Sequence, residues 1–208
     1  MLLLNGNKVS TGTCKFRFYN AGDIVRSNNN IIIIKNGLIC GSEKSLNYVL
    51  EDPNGGHIIG LAVGGSREVE YATLKDYHIF LKNRKGFVRV ALKNGTSLVP
   101  VFSFGAENAF TRIPIPKSLQ NWIKEKTGLL IYFYNGQGFF QKWFGLAPKF
   151  CQISTIVGKP IEVKKIPNPT AEDIDEVHQK FVAGITELFN EYKYKYLKDP
   201  DNTQLVIN

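Results

Sequence analysis

The sequence predicts an α/β fold, and three consecutive features carry this prediction. HIIGLAVGG (57–65) is an apolar run that ends in glycines, which is typical of a buried strand followed by a loop. RKGFVRVALKNG (84–95) predicts a short helix that ends where Gly95 can form a left-handed C-cap. SLVPVFSFG (97–105) predicts a second apolar strand, as in a parallel sheet that is covered on both faces. Strand, glycine loop, helix and strand in this order indicate a sheet flanked by helices.

The other elements are predicted around this unit. GSEKSLNYVLED (41–52) predicts a helix that Ser42 caps, and STIVGKPIEV (154–163) predicts a strand. A long amphipathic C-terminal helix follows Pro169, with Thr170 and Asp173 as a capping-box-like pair. Its apolar residues recur at helical spacing and are Ile174, Val177, Phe181, Ile185, Leu188 and Tyr192.

We divide the chain of 208 residues into three parts. Residues 1–30, rich in Asn, Gly, Ser and Thr, are a poorly specified N-terminal segment. Residues 31–197 are expected to form one domain, and 198–208 a tail. A chain of this length is ample for a sizeable core.

The net charge of +8 indicates an anionic partner such as a nucleic acid, a membrane surface or a CoA-type phosphate. The 3 cysteines are far apart, which argues against a disulfide framework or zinc site and favours a reducing compartment. No apolar run approaches the roughly 18 residues that a spanning helix needs. A membrane-associated form is therefore expected to lie on the bilayer.

Two segments are candidates for an anion site. VGGSRE (63–68) follows a predicted strand, so its glycines can bring backbone N–H groups to a phosphate and Arg67 can pair with it. A plain glycine turn is the alternative. Arg84 and Lys85 stand at a predicted helix N-terminus, where the macrodipole disfavours each charge by about 0.3–1 kcal/mol unless an anion binds. A solvated basic turn is the alternative there.

The histidines His57, His78 and His178 have no nucleophile or carboxylate at the spacing of a catalytic motif, so a structural or surface role is expected for each. No metal-ligand spacing such as H-x-x-x-H occurs, and no metal site is predicted. An aromatic and basic stretch fits a core, an RNA-stacking surface or an interfacial membrane patch. Its aromatic residues are Trp122, Tyr132, Phe133, Phe139, Phe140, Trp143 and Phe144.

Together these segments resemble the type-two diacylglycerol acyltransferase family, which includes monoacylglycerol and wax-ester acyltransferases. The likeness covers roughly residues 31–197 and rests on VGGSRE, RKGFVRVALKNGTSLVPVFSFG, NGQGFFQKWFGLAPKF and GKPIEVKKIPNPTAEDIDEVHQKFVAGITELFNEYKYKY. Gln137 stands where the family has arginine. VGGSRE replaces the common V-G-G-A-A-E, and SFGAEN replaces S-F-G-E-N.

The resemblance implies a glycerolipid-acyltransferase-like sheet and an O-acyltransferase of triacylglycerol synthesis, which moves an acyl group from acyl-CoA to the hydroxyl of an acylglycerol. It implies acyl-CoA as co-substrate without a further cofactor, and no nucleic-acid partner. It also implies peripheral attachment to the cytosolic face of the endoplasmic reticulum membrane or to lipid droplets, and association with full-length family members. The residues that it assigns to substrate or CoA binding are Gly64, Gly65, Arg67, Glu68, Arg84, Lys85 and Gly86.

The family's catalytic signature is H-P-H-G, whose histidine would act as general base toward the acceptor hydroxyl. The sequence contains no H-P-H-G and no histidine before His57. The catalytic residue therefore stays unassigned, and the chain is expected to be an N-terminally shortened family member. The alternative to an active enzyme is an inactive fragment that still binds lipid or CoA, since general-base catalysis contributes roughly 10²–10⁴-fold. An RNA-binding module ranks third.

Overall fold

The computed structural model shows helices and strands mixed along the chain. The residues that it describes are 1–4, 25–27, 30–32, 41–53, 57–65, 68, 71, 76–113, 115–127, 133–138, 145 and 147–208. The described helices are α1 (Glu43–Leu50), α2 (Gly86–Asn94), α3 (Lys117–Thr127) and α4 (Ala171–Tyr196). The described strands are β1 (Leu2–Leu4), β2 (Val25–Ser27), β3 (Asn30–Ile32), β4 (Ile58–Gly60), β5 (Tyr77–Ile79), β6 (Ser97–Val99), β7 (Val101–Phe104), β8 (Thr111–Ile113), β9 (Phe133–Asn135), β10 (Ser154–Val157) and β11 (Leu205–Ile207). A 3-10 turn covers Ala106–Asn108.

The predicted mixture of helices and strands and the long C-terminal helix are confirmed, but the parallel sheet expected for residues 97–105 is wrong. β6 pairs antiparallel with β1, which lies between β4 and β6 in a three-stranded sheet. β7 pairs antiparallel with β10. An apolar run predicts burial, but the direction of its neighbours depends on segments that are distant in sequence. Among the described strand pairs, β5 with β11 is the parallel one.

Pro100 divides the predicted strand 97–105 into β6 and β7. Proline has no N–H to donate to a β-ladder, so it is found at edges and interruptions of strands. Its carbonyl still accepts a hydrogen bond from the Gly158 N–H, at 2.9 Å. The result is one segment that contributes to two different sheets.

The predicted helix ends are confirmed. The Ser42 side chain accepts a hydrogen bond from the Ser45 N–H at 3.3 Å at the start of α1. Gly95 ends α2 in the left-handed conformation, with φ of 67°. Thr170 and Asp173 form a complete capping box at the start of α4, because each side chain accepts from the other residue's backbone N–H.

The core lies where α4 packs against α2 and β7. The Phe181 ring of α4 lies 5.1 Å from the Phe87 ring of α2, centroid to centroid. About two turns further along α4, the Phe189 ring lies 5.7 Å from the Phe104 ring of β7, centroid to centroid. All four rings are buried, so the apolar stripe predicted for α4 is the surface that joins these elements.

The N-terminal and C-terminal segments supply strands to this structure. In β1, which belongs to the segment described above as poorly specified, Leu3 is fully buried opposite Ile59 and Leu98. In the segment 198–208, set apart above as a tail, β11 pairs with β5. The backbone oxygen of Asn208 also accepts hydrogen bonds from two N–H groups of residues 81 and 82, at 2.9 and 2.8 Å.

We did not predict α3 from the sequence. Its composition, KSLQNWIKEKT, has few apolar residues, so the helical period is weak. Trp122 in α3 is 57% exposed. The other predicted aromatic residues Tyr132, Phe139, Phe140, Trp143 and Phe144 lie outside the described residues. No helix in the described parts is both long enough and apolar enough to cross a bilayer.

Candidate functional site

The side chain of Glu68 packs against Gly64 in the glycine loop after β4. A Cβ atom placed on Gly64 would lie 1.5 Å from Oε1 of Glu68, so the glutamate side chain occupies the space that a side chain at 64 would need. The Phe80 N–H donates a hydrogen bond to the same Oε1 at 3.2 Å. The space next to this glycine is therefore filled by Glu68, and not by the external phosphate that was one of the two interpretations of the sequence pattern.

Arg84 reaches the next residue of the same loop. Gly65 has φ of 62°, in the left-handed region that favours glycine. The Nη1 atom of Arg84 lies 3.4 Å from the position that a Cβ on Gly65 would take. The positive charge of Arg84 also acts on the Glu68 carboxylate. The fold thus brings together Gly64, Gly65, Glu68 and Arg84, while Arg67 lies outside the described residues.

Lys85 is directed to a different place. Its Nζ forms an ion pair with Oδ1 of Asp175 in α4, at 2.5 Å, and both side chains are about half exposed. Gly86 begins α2 next to it and is exposed, with open space around the position of a Cβ. The consecutive residues Arg84 and Lys85 therefore contact different parts of the structure: Arg84 lies against the glycine loop, and Lys85 pairs with α4.

Burial raises the pKa of the Glu68 carboxyl above its usual value, and this effect exceeds three opposing ones. The hydrogen bond from the Phe80 N–H, the charge of Arg84 and the charge of the N-terminal ammonium group all favour the ionised form. A carboxyl group with a raised pKa holds its proton more readily and, once ionised, is a stronger base.

Glu68 lines a large, open cavity of about 1570 Å³. The wall is largely apolar and aromatic, with Phe102 and Phe104 of β7 among its residues. Polar side chains converge on it from several elements, and they include Glu68, Tyr71, Tyr77, His78, Ser103, Glu107, Asn108, Cys151 and Thr155. A mainly apolar cavity with a few polar groups is the usual form of a ligand site.

Tyr77 and Glu107 form a polar pair in this cavity that we did not find in the sequence. The Tyr77 hydroxyl donates to Oε1 of Glu107 at 2.7 Å. Burial, and then the hydrogen bond to Glu107, raise the pKa of Tyr77 above its usual value. The available signal was the position of Glu107 just after the apolar strand 97–105, in SFGAEN.

Of the three histidines, His78 lines the large cavity. Its ring lies 4.9 Å from the Tyr71 ring, and its Nδ1 is 3.3 Å from Nδ2 of Asn208. Tyr71 also lines the cavity, so the histidine is held at the wall by two contacts. A single histidine on an uncertain extended segment gave no sequence signal for this position.

The other two histidines make structural contacts. His57 Nε2 lies 2.7 Å from Oδ2 of Asp52, at the end of β4 opposite the glycine loop. This carboxylate partner was missed because the two residues are five positions apart, which matches no catalytic motif. His178 is buried in α4, and its Nε2–H donates to the Leu81 carbonyl at 3.0 Å. Neither is among the residues that line the large cavity.

No group of three or more His, Cys, Asp or Glu residues in the described parts of the chain is placed to hold a metal ion. Cys151 is free and lines the large cavity. Carboxyl, imidazole, phenol, thiol and lysine ammonium groups are thus among the titratable groups that line this cavity. Such an arrangement can bind a hydroxyl-bearing ligand and can accept its proton.

Comparison with known proteins gives a consistent set of relatives. The family described as diacylglycerol acyltransferase matches residues 15–208. 2-acylglycerol O-acyltransferase 1 of Mus musculus is 37% identical over 169 residues, which are 79% of this chain and 50% of the relative. Diacylglycerol O-acyltransferase 2 of Dictyostelium discoideum is 37% identical over 182 residues, 85% of this chain and 54% of the relative.

A third relative is acyl-CoA wax alcohol acyltransferase 2 of Mus musculus, which is 30% identical over 169 residues, 79% of this chain and 51% of the relative. The chain thus spans about half the length of the curated relatives that it matches. No solved structure matches it significantly.

Proposed function

Because this chain belongs to the diacylglycerol acyltransferase family, we propose that it acts in the transfer of an acyl group from acyl-CoA to the hydroxyl of an acylglycerol. The observation that carries the proposal is the match over residues 15–208, which includes every segment of the described cavity apart from its first residue, Met1. The names of the relatives supply the reaction class. The expected product is a di- or triacylglycerol.

The large cavity suits the acylglycerol. Its wall is mainly apolar, which fits acyl chains, and its volume of about 1570 Å³ exceeds that of a common small-molecule pocket. The charged residues in the lining are mostly acidic: Glu68, Asp76, Glu107 and Asp199 face two lysines, Lys195 and Lys198. A neutral acceptor is therefore better accommodated here than a polyanion.

Acyl transfer requires that the acceptor hydroxyl lose its proton while its oxygen attacks the thioester carbonyl and the CoA thiolate departs. Glu68 and His78 are the cavity residues that we assign to the hydroxyl, as hydrogen-bond partners and proton acceptors. The raised pKa of Glu68 supports its assignment, since bases work best when their pKa lies close to the operating pH. Glu107 already accepts a hydrogen bond from the Tyr77 hydroxyl.

The remaining binding residues are proposed on their placement. Gly64 and Gly65 give Glu68 and Arg84 their positions, so we assign all four to the acceptor side of the site. Arg67 belongs to the same loop in sequence and is assigned with them. Lys85 and Gly86 begin α2 and are assigned to CoA. The glycerolipid-acyltransferase-like fold and one domain over 31–197 belong to the same proposal.

We also propose that the protein works on the cytosolic face of the endoplasmic reticulum membrane or on lipid droplets, together with full-length family members. Exposed apolar residues near the cavity support attachment to a lipid surface. Phe150 is 92% exposed and immediately precedes Cys151 and Gln152, which line the cavity. Its neighbour in sequence, Lys149, adds the positive charge that anionic headgroups attract.

The alternative is that this chain binds lipid or CoA without turning it over, and the mainly apolar wall of the large cavity is equally compatible with such a role. The test is acyl transfer by the purified chain in detergent, with labelled oleoyl-CoA and either monooleoylglycerol or dioleoylglycerol. Labelled di- or triacylglycerol above a heat-treated sample supports the acyltransferase. Saturable acyl-CoA binding without product supports the alternative. The absence of both product and acyl-CoA binding would overturn both hypotheses.

A pair of variants tests the site within this experiment. Glu68→Gln keeps an acceptor for the Phe80 N–H but removes the base, so we expect product formation to fall about ten-fold or more. Glu187→Gln in α4 is the control, because this glutamate is exposed and lines neither described cavity. Equal activity of both variants would remove Glu68 from the proposed mechanism.

A further inference from the structure

A second cavity, of about 430 Å³, lies where the turn before α2, the first half of α4 and β11 meet. Its lining consists of Lys82, Lys85, Asp175, His178, Gln179, Val182, Ala183 and Ile207. None of these residues lines the large cavity. The two cavities nevertheless share their supporting elements, since Ile79 of β5 lines the large one and its strand partner Ile207 lines the second.

The charge of the second cavity is opposite to that of the large one. Lys82 and Lys85 face a single carboxylate, Asp175. Among the described residues, the Lys82 side chain is exposed and has no hydrogen-bond or ion-pair partner, whereas Lys85 is paired with Asp175. The second cavity is therefore the one suited to an anionic ligand.

The start of α2 adds to this positive character. Lys85 is the N-cap residue and makes no side-chain cap, and the first turn of α2 contains no acidic residue. The positive end of the helix macrodipole is thus left without a compensating negative charge from its own first turn. Gly86 leaves the backbone open at this point, since a Cβ there would meet nothing within 4 Å.

The rest of the lining has the features of a ligand site for an organic anion. His178 is buried, and the donation of its Nε2–H to the Leu81 carbonyl fixes its ring between α4 and the turn. Val182, Ala183 and Ile207 form an apolar part of the lining. A bare inorganic ion needs no apolar wall, whereas a phosphate ester with a carbon skeleton can use both kinds of surface.

We propose that this second cavity binds the phosphate-ester part of an anionic ligand, through Lys82 and Lys85, and that Asp175 competes with the ligand for Lys85. The inference rests on the proposed function in naming the ligand, because acyl-CoA is a phosphate ester that this reaction would use. A phospholipid headgroup carries the same chemistry. The competing ion pair is half exposed, so it is weak compared with a phosphate bound by two lysines.

The test measures the affinity of the full chain for three probes: CoA, inorganic pyrophosphate, and phosphatidylcholine vesicles with added phosphatidic acid. Lys85→Ala and Lys82→Ala should each weaken binding about ten-fold, as expected for loss of a charge-assisted contact. Asp175→Asn should tighten binding about two- to five-fold, because it releases Lys85 and removes a repelling charge. An unfolded variant cannot mimic such a gain.

Matched controls are available on α4. Lys180 and Glu176 form an exposed ion pair on α4 and do not line the cavity, so Lys180→Ala and Glu176→Gln should leave every affinity unchanged. They remove charges of the same sign from α4, the helix that carries Asp175. An equal effect of Lys180→Ala and Lys85→Ala would show a general charge effect and overturn the site.

The outcomes separate this inference from the proposed function. CoA binding that none of the cavity variants changes would overturn the second cavity as the site and leave acyl-CoA use intact. Binding of vesicles or pyrophosphate with the expected variant pattern, but not of CoA, would support the anion site and count against the proposed function. Weaker binding by Asp175→Asn, or no binding of any probe, would overturn the inference.

Discussion

At the scale of single residues, the loop 63–68 shows how the same glycines can serve two purposes. A glycine after a strand allows close approach of an anion to the backbone, whatever molecule the anion belongs to. Here the anion is the Glu68 carboxylate, which lies over Gly64. The sequence pattern allowed such a contact but did not identify the anion, because only the tertiary structure decides which group fills the space next to Gly64.

The raised pKa of Glu68 makes a prediction about pH. The folded state keeps the Glu68 proton above the ordinary pKa of 4.5, at which the unfolded chain loses it. Between these two pKa values the folded state binds more protons, so the free energy of unfolding falls as the pH rises. Glu68→Gln removes this loss. We expect the variant to match the wild type near pH 4 and to be more stable at pH 8, as measured by urea unfolding.

Asp173 supplies a control of opposite sign for this measurement. Its hydrogen bonds with Thr170 lower the pKa of the carboxyl below 3.8. The stabilisation by this carboxylate is therefore present above that value and is lost as the pH falls through the lowered pKa. Asp173→Asn should be less stable than the wild type at pH 8. A pH-independent difference between Glu68→Gln and the wild type would contradict the raised pKa.

At the scale of elements, α2 shows that the two ends of a helix follow different rules. Its C-terminus is specified locally, because Gly95 alone can adopt the left-handed conformation cheaply. Its N-terminus has no side-chain cap and an unfavourable charge, Lys85. That charge is balanced by Asp175 of α4, which is 90 positions away in sequence. The first end was predictable from the sequence, and the partner of the second was not.

Gly95→Ala is expected to destabilise the protein by about 1–2 kcal/mol, the cost of a left-handed residue with a side chain. The new Cβ would also lie only 3.0 Å from the Lys165 Cβ. Gly86→Ala at the other end of α2 is the matched control, since its Cβ would meet nothing within 4 Å and alanine favours helix. Thermal unfolding measures both, and equal stability of the two variants would contradict the role of Gly95.

At the scale of the whole molecule, strands from the N-terminal and C-terminal segments pair with strands from the middle of the chain. β1 is the central strand of its sheet, and β11 is the partner of β5. The same β5 carries Tyr77 and His78 to the large cavity. Strand pairs of this kind join residues that are far apart in sequence, so neither periodicity nor capping signals can predict them.

Removal of residues 204–208 tests whether the segment 198–208 is a dispensable tail. The truncation takes away the acceptors of the Tyr77, Leu81 and Lys82 N–H groups and the partner of β5. At about 1 kcal/mol for each lost hydrogen bond, we expect a loss on the order of 3 kcal/mol in the free energy of unfolding. An unchanged unfolding midpoint would mean that these contacts contribute nothing and that the tail assignment holds.

The sequence by itself determined the helices with strong local signals, the buried strand segments and the family. These features depend on residues within a few positions of one another, such as the Thr170–Asp173 capping box, or on motifs that persist in a family. Only the tertiary structure decided that Arg84 meets the glycine loop while Lys85 meets Asp175, and that His78 reaches the cavity. The physical reason is that a side chain's partners come from long-range strand and helix packing, which local patterns do not encode.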